Sequence, residues 1–155
     1  MYLSNYFINL INRCFFVLLV VLFLSVMVKT SITSINVDGC KDSLRRFRIF
    51  EALRQSSSEI FFLQETSSVE SDEAQWRVVW RGAVEFSHFP APNRAGVAIL
   101  FAPFSGFAVI NRQEIIPGRA LFLRVKKDLF ELNLINLYAP NNGPCLLYTS
   151  PSPRD

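Results

Sequence analysis

Residues 31–37 (SITSINV) alternate β-branched and polar side chains and run into Asp38-Gly39, which predicts a first strand closed by a turn. Asp42 or Ser43 then caps a helix in which Leu44, Phe47, Phe50 and Leu53 recur at helical spacing, with Arg45, Arg46, Arg48 and Arg54 on the other faces. The run IFFL at 60–63 is apolar throughout and stops at Gln64-Glu65, the pattern of a central strand buried on both faces. Beyond an acidic stretch at 67–73, short strands are expected at 76–80 and 83–86, followed by a turn at Pro90-Ala91-Pro92-Asn93. Residues 96–101, 107–111, 120–125 and 129–137 read as further strands, the last two joined by a Lys126-Lys127-Asp128 hairpin turn. The order β, α, β and then a meander predicts a sheet with helices on one face, an α+β architecture rather than a doubly wound one. No Gly-rich phosphate loop argues otherwise.

The two ends break this pattern. Residues 15–28 (FFVLLVVLFLSVMV) are apolar except for Ser25, but at 14 residues the run falls short of the roughly 20 that a membrane-spanning helix needs. It suits the apolar part of a signal peptide by length, yet Arg13 alone supplies positive charge before it and no small-residue cleavage site follows. We read residues 1–26 as translated upstream sequence ahead of an initiator at Met27, with a signal or anchor as the alternative. The last eleven residues, 145–155 (CLLYTSPSPRD), back-translate into a string that looks like a transposase sequencing adaptor, and we set them aside as an artefactual tail. The domain is therefore expected over 27–144, broken off near Gly143 or Pro144.

Composition narrows the function classes only a little. A length of 155 residues bounds the chain to one ordinary domain. Sixteen Lys and Arg against thirteen Asp and Glu give +3, too little for a protein that holds nucleic acid by charge alone. Cys14, Cys40 and Cys145 are too few and too scattered for a disulfide framework, and a single histidine rules out an ordinary structural zinc site. A reducing, nuclear or cytoplasmic compartment is the default.

Candidate chemistry sits where strands end: Asn36 and Asp38 after the first, Gln64 and Glu65 after IFFL, and Tyr138 and Asn141 after the last. Residues just past neighbouring strands gather at one rim, where loops leave room for a ligand. Each pair also has a plainer reading: an Asx turn for Asn36 and Asp38, a solvated cap for Glu65, and a turn with a half-buried phenol for Tyr138 to Asn141. His88 reads as a loop residue. Arg94 is either a phosphate contact or a solvated turn arginine.

Taken in order, SINVDG (34–39), FFLQET (61–66), QWRVVWRG (75–82), FSH (86–88), RAGVAILF (94–101) and LNLINLYAPN (132–141) resemble the endonuclease/exonuclease/phosphatase family, closest to the endonuclease domain of LINE-type non-LTR retrotransposon proteins. The most specific of these blocks are LQET and LYAPN. The resemblance implies a two-sheet α/β sandwich, here partial: the first sheet and its helix, with the second sheet largely missing. It also implies a divalent-metal phosphodiesterase, using Mg²⁺ or Mn²⁺, that nicks duplex DNA and leaves a 3′ hydroxyl. From that end an attached reverse transcriptase primes on the element RNA. In that likeness Glu65 is the metal-ligating carboxylate, Asn36 helps orient the metal or its water, and Asp38 supports them. Tyr138 hydrogen-bonds near the scissile phosphate, and Asn141 holds the phosphate or the attacking water.

The family's later Asp-x-Asn motif, further Asp and C-terminal His have no counterpart here, so the chain is expected to be inactive by itself. With one sheet missing, Phe61, Leu63, Val97, Ile99, Leu132 and Leu134 are expected on a bare inner face, and the segment is expected to be insoluble or molten alone. Three alternatives stand beside this reading: a membrane-anchored binding protein without enzymatic activity, another phosphodiesterase or phosphatase of the same superfamily, and a decayed element copy.

Overall fold

A computed structural model describes residues 29–91 and 95–139. The chain divides into two units, Met1–Thr30 and Ser31–Asp155, and the fold below is that of the second. The apolar run at 15–28, the turn residues 92–94 and everything from 140 onward lie outside the described residues, and with them Arg94, Asn141, the proposed start at Met27 and the 145–155 tail.

The elements are β1 (Ile32–Asn36), α1 (Ser43–Gln55), β2 (Ile60–Gln64), a 3₁₀ turn (Glu70–Asp72), α2 (Glu73–Trp80), β3 (Val84–Ser87), β4 (Val97–Phe101), β5 (Ala108–Ile116), β6 (Ala120–Lys127) and β7 (Phe130–Leu137). Among the described residues they form two sheets, one ordered β1-β2-β4-β3 and one ordered β5-β6-β7. β2 is central as its sequence predicts, parallel to β1 and antiparallel to β4.

The period-two alternation of β2 and β4 sorts the core into two layers. Phe61 and Leu63 lie opposite Leu100 and Ala98 and pack with Phe50, Leu53, Trp76 and Trp80 on the helix side. Ile60, Val97, Ile99 and Phe101 point the other way and meet Leu121, Leu123, Val125 and Leu134 of the second sheet. The result is three layers of helices, sheet and sheet. Each fully buried Leu, Ile or Phe here contributes about 1.5–3 kcal/mol.

This overturns the expectation of a largely missing second sheet and a bare inner face. Three antiparallel strands cover the first sheet, and Ile60, Val97 and Ile99 are fully buried. Phe61 and Leu63 lie on the opposite face from the one expected, because the register puts them against helices rather than beside Val97 and Ile99. The uncovered part is the flank at β1, where Ile32 is 48% exposed.

Two further expectations change. Residues 76–80 form the second half of a helix rather than a strand. Trp76 and Trp80 are four residues apart, share one face and are both fully buried against Phe50, with Trp80 Nε1 donating to Phe101 O at 2.7 Å. On α1 the buried face is Arg46, Phe50 and Leu53, while Leu44 and Phe47 are exposed. Arg46 is buried because its guanidinium donates to Cys40 O and Lys41 O and bonds Gln75, satisfying loop carbonyls that would otherwise be orphaned. The cap is Asp42, whose carboxylate accepts from Arg45 N at 2.7 Å.

Candidate functional site

β1 and β2 are parallel, so their C-terminal ends leave the sheet together, and main-chain bonds carry the pairing past both strands. Val37 N donates to Gln64 O (3.0 Å), Gly39 N to Glu65 O (2.7 Å) and Cys40 N to Thr66 O (2.8 Å). On its other side the loop after β2 is held by Thr66 N to Gly96 O (3.0 Å) and Ser67 N to Ala95 O (2.8 Å). Glu65 and Ser67 both adopt left-handed backbone, φ 55° and 52°, a conformation that persists in non-glycine residues only when the surroundings over-determine it. These bonds do so.

The second sheet brings its own strand end to the same rim. Gly96 N donates to Gly118 O (2.9 Å) and Tyr138 N to Arg119 O (2.8 Å), which ties the β5–β6 turn to the loop before β4 and to the residues after β7. Below the rim, Asn136 is fully buried and bridges the sheets. Its Nδ2 donates to Leu63 O and Ala98 O, both at 2.9 Å, and its Oδ1 accepts from Gln64 Nε2 at 2.8 Å. Every hydrogen-bonding direction of the carboxamide but one acceptor is filled, so β7 is fixed in register over β2 and β4.

The outcome is a cleft of about 310 Å³, lined by Ser34 and Asn36 from β1, Gln64 and Glu65 from the end of β2, and Leu137, Tyr138 and Ala139 from the end of β7. Asn36 Nδ2 donates to Glu65 Oε1 at 2.8 Å. The same carboxamide accepts from Asp38 N through Oδ1 at 3.0 Å, so the plainer Asx turn is present too, and it fixes which end of the amide faces Glu65. The Tyr138 phenol shares the cleft with the Glu65 carboxylate. Burial pushes the phenol pKa up, the neighbouring Glu65 carboxylate pushes it further, and the positive charge of Arg119 opposes them. The phenol is thus protonated at neutral pH.

Of the residues singled out from sequence, then, Asn36, Glu65 and Tyr138 meet in one cleft. Asp38 does not line it: its carboxylate faces Arg45 at 3.6 Å and is largely exposed. Asn141 is outside the described residues. Gln64, paired with Glu65 at the strand end, lines the cleft as well, and sequence reasoning missed Asn136; a lone Asn on the otherwise apolar inward face of β7 was the available signal. His88 is more than a loop residue. Its Nδ1 lies 3.2 Å from Ser68 Oγ and 3.0 Å from Ser68 O, and its Nε2 lies 2.9 Å from Glu73 Oε1. Ser68 Oγ in turn meets Thr66 Oγ1 at 3.0 Å, so His88 anchors the loop that carries Glu65.

Among the described residues no group of three or more His, Cys, Asp or Glu is placed to hold a metal ion. The cleft offers one carboxylate beside neutral carboxamides and hydroxyls. That donor set does not suit Zn²⁺, which takes several N or S ligands. It does suit Mg²⁺ or Mn²⁺, hard ions that keep several waters and bind through one or two carboxylates. A larger groove of about 640 Å³ on the helix side is lined by Phe47, Val78 and Phe104 with the paired Glu51 and Arg54, and has no comparable convergence of polar groups.

No family model matches the chain. Over 114 residues, 74% of its length, it is 39% identical to the Transposon TX1 uncharacterized 149 kDa protein of Xenopus laevis. The chain is similar to a transposon protein. It spans only 9% of that relative's length. Among the described residues no helix is long and apolar enough to cross a membrane.

Proposed function

We propose that the chain is the N-terminal part of a divalent-metal-dependent DNA endonuclease of a LINE-type retrotransposon protein, which nicks duplex DNA so that an attached reverse transcriptase can copy the element RNA. The observation that carries this reading is a single carboxylate, Glu65, held by an amide from the neighbouring strand and sharing a polar cleft with a phenol from the other sheet. The likeness to a transposon protein supports the retroelement context. Nothing described favours the membrane-anchored alternative.

In this reading Glu65 holds Mg²⁺ or Mn²⁺ directly. Asn36 acts through Glu65, since its oxygen is engaged by Asp38 N and its nitrogen points at the carboxylate. Once bound, the ion would offset charge building on a phosphodiester. Tyr138 lines the same cleft and can turn its O–H toward a phosphate. None of Glu65, Asn36 and Tyr138 is an evident general base, so in this reading the 155 residues bind the ion without cleaving DNA.

Mn²⁺ titrated into ¹⁵N-labelled protein should broaden resonances of Asn36, Glu65 and Tyr138 first, and Glu65→Gln should abolish the effect. Broadening centred elsewhere sinks the reading. With supercoiled plasmid and Mg²⁺ the chain should not nick, and nicking that vanishes in Glu65→Ala would show that the proposed inactivity is wrong.

A further inference from the structure

Arg119 stands at the end of the β5–β6 turn. Its carbonyl accepts from Tyr138 N at 2.8 Å, its guanidinium lies 5.4 Å from the centre of the Phe89 ring, and its Nε is buried with no hydrogen-bond partner. Several other cations among the described residues have found acids or carbonyls: Arg45 faces Asp38, Arg77 Glu73, Arg112 Glu85, Arg124 Glu131 and Lys127 Glu59, and Arg46 is taken up by loop carbonyls. Among the described residues Arg119 Nε has no partner and no ion pair joins Arg119 to a carboxylate. A buried donor left unpaired is costly, and the cost is removed when an acceptor arrives.

That acceptor is defined by what surrounds the guanidinium. The main-chain bond sets the backbone of Arg119 beside that of Tyr138 at the cleft, and the charge of the arginine reaches the phenol. The Phe89 ring supports the guanidinium on one face, which lowers the entropy lost when its fork engages a ligand. The charge inside the cleft is the Glu65 carboxylate, which repels anions, and Arg119, which stands outside the lining residues, is the cation whose charge is felt at Tyr138.

We propose that Arg119 is the phosphate-binding residue of this cleft, its guanidinium taking oxygens of the phosphodiester that Tyr138 and Glu65 face; this rests on the phosphodiesterase reading for the identity of the diester. A planar fork of N–H donors matches phosphate oxygens two at a time.

The test is titration of the ¹⁵N-labelled full chain with dimethyl phosphate in the absence of divalent ions. The Arg119 Nε–H resonance and the Tyr138 amide should shift saturably, and Arg119→Gln should weaken the affinity about tenfold or more. Arg81→Gln, an exposed arginine on the helix side, should bind as the native chain does. An Nε–H that does not move at high diester concentration overturns the proposal, as does an Arg119→Gln protein of unchanged affinity. The native titration decides the matter even where Arg119→Gln does not fold. Failure of the metal reading is separable: diester shifts at Arg119 without Mn²⁺ broadening at Glu65 would retain the phosphate site and remove the endonuclease.

Discussion

Asn36 donates its side-chain amide to Glu65 Oε1 at 2.8 Å, joining residues 29 apart in the chain that leave adjacent parallel strands at the same level. The bond aims the carboxylate into the cleft while the Asn36 oxygen is held by Asp38 N.

The first prediction follows from that division of labour. Asn36→Ala keeps the ligand proposed above but frees its carboxylate to rotate, and losing such a supporting partner typically lowers metal affinity about 10- to 100-fold. Mn²⁺ binding followed by electron paramagnetic resonance should show that drop, with Glu65→Gln losing binding altogether. Native affinity in Asn36→Ala would mean that the amide only closes its Asx turn.

Asn136 makes the second prediction. Replacing it by Leu conserves size but strips the donors from Leu63 O and Ala98 O and the acceptor from Gln64. Buried groups left unpaired cost about 1–3 kcal/mol each, and some regain water, so a loss of about 2–4 kcal/mol is expected in urea unfolding. A loss under about 1 kcal/mol would show that the strands hold their register without the clamp.

How far the sequence led can be read from these residues. The IFFL strand, the Asp42 cap and the meander were legible because period-two runs and turn residues are local signals. Asn36, Glu65 and Tyr138 were legible as strand-end polar residues once their blocks were recognised. Trp76 and Trp80 misled because two aromatics around RVV look like a strand, whereas their four-residue spacing and the acidic lead at Glu70, Asp72 and Glu73 belong to a helix. Arg46, Asn136 and Arg119 were not legible: each takes its role from atoms that tertiary structure alone brings near, carbonyls of another loop, the opposite sheet, or a ring in the turn before β4.

Acid should loosen the loop around His88. Burial alone would raise the Glu73 pKa, but hydrogen bonds and positive charge from His88 and Arg77 outweigh it and hold the carboxyl below its ordinary value. A lowered carboxyl contributes stability that is present above its unfolded pKa and lost as pH falls through the folded one. Unfolding free energy should therefore decline below about pH 4.3, and more shallowly in Glu73→Gln, which should also lose about 1 kcal/mol at pH 7. Parallel acid limbs for the two proteins would exclude Glu73 as a source of the decline.

Cys40 should be inert while the domain is folded. It is fully buried, and burial pushes its thiol up to about 12 against the pull of Arg46 and Arg45. At pH 8.5 native protein should show no alkylation of Cys40 by iodoacetamide on the timescale that modifies it fully in urea, as read by peptide mass spectrometry. Rapid native labelling would mean that the loop between β1 and α1 opens readily.

Gly96 should prove a demanding glycine for the site. Its φ of +93° is one that L side chains rarely adopt, and an added Cβ would stand 2.5 Å from Thr66 Oγ1. Thr66 cannot yield easily, because it is fully buried and its hydroxyl is bonded to Ser68, which is in turn held by His88. Gly106 is the matched control: its φ is +78°, but a Cβ there meets nothing nearer than the Lys127 side chain at 3.9 Å. Gly106→Ala should cost about 1 kcal/mol for the backbone alone, and Gly96→Ala about 1–3 kcal/mol beyond that for the displaced threonine. Because Thr66 follows Glu65 directly, Gly96→Ala should also weaken Mn²⁺ binding while Gly106→Ala leaves it unchanged. Equal unfolding losses and equal metal affinities in the two variants would show that the loop carrying Glu65 is not braced from β4.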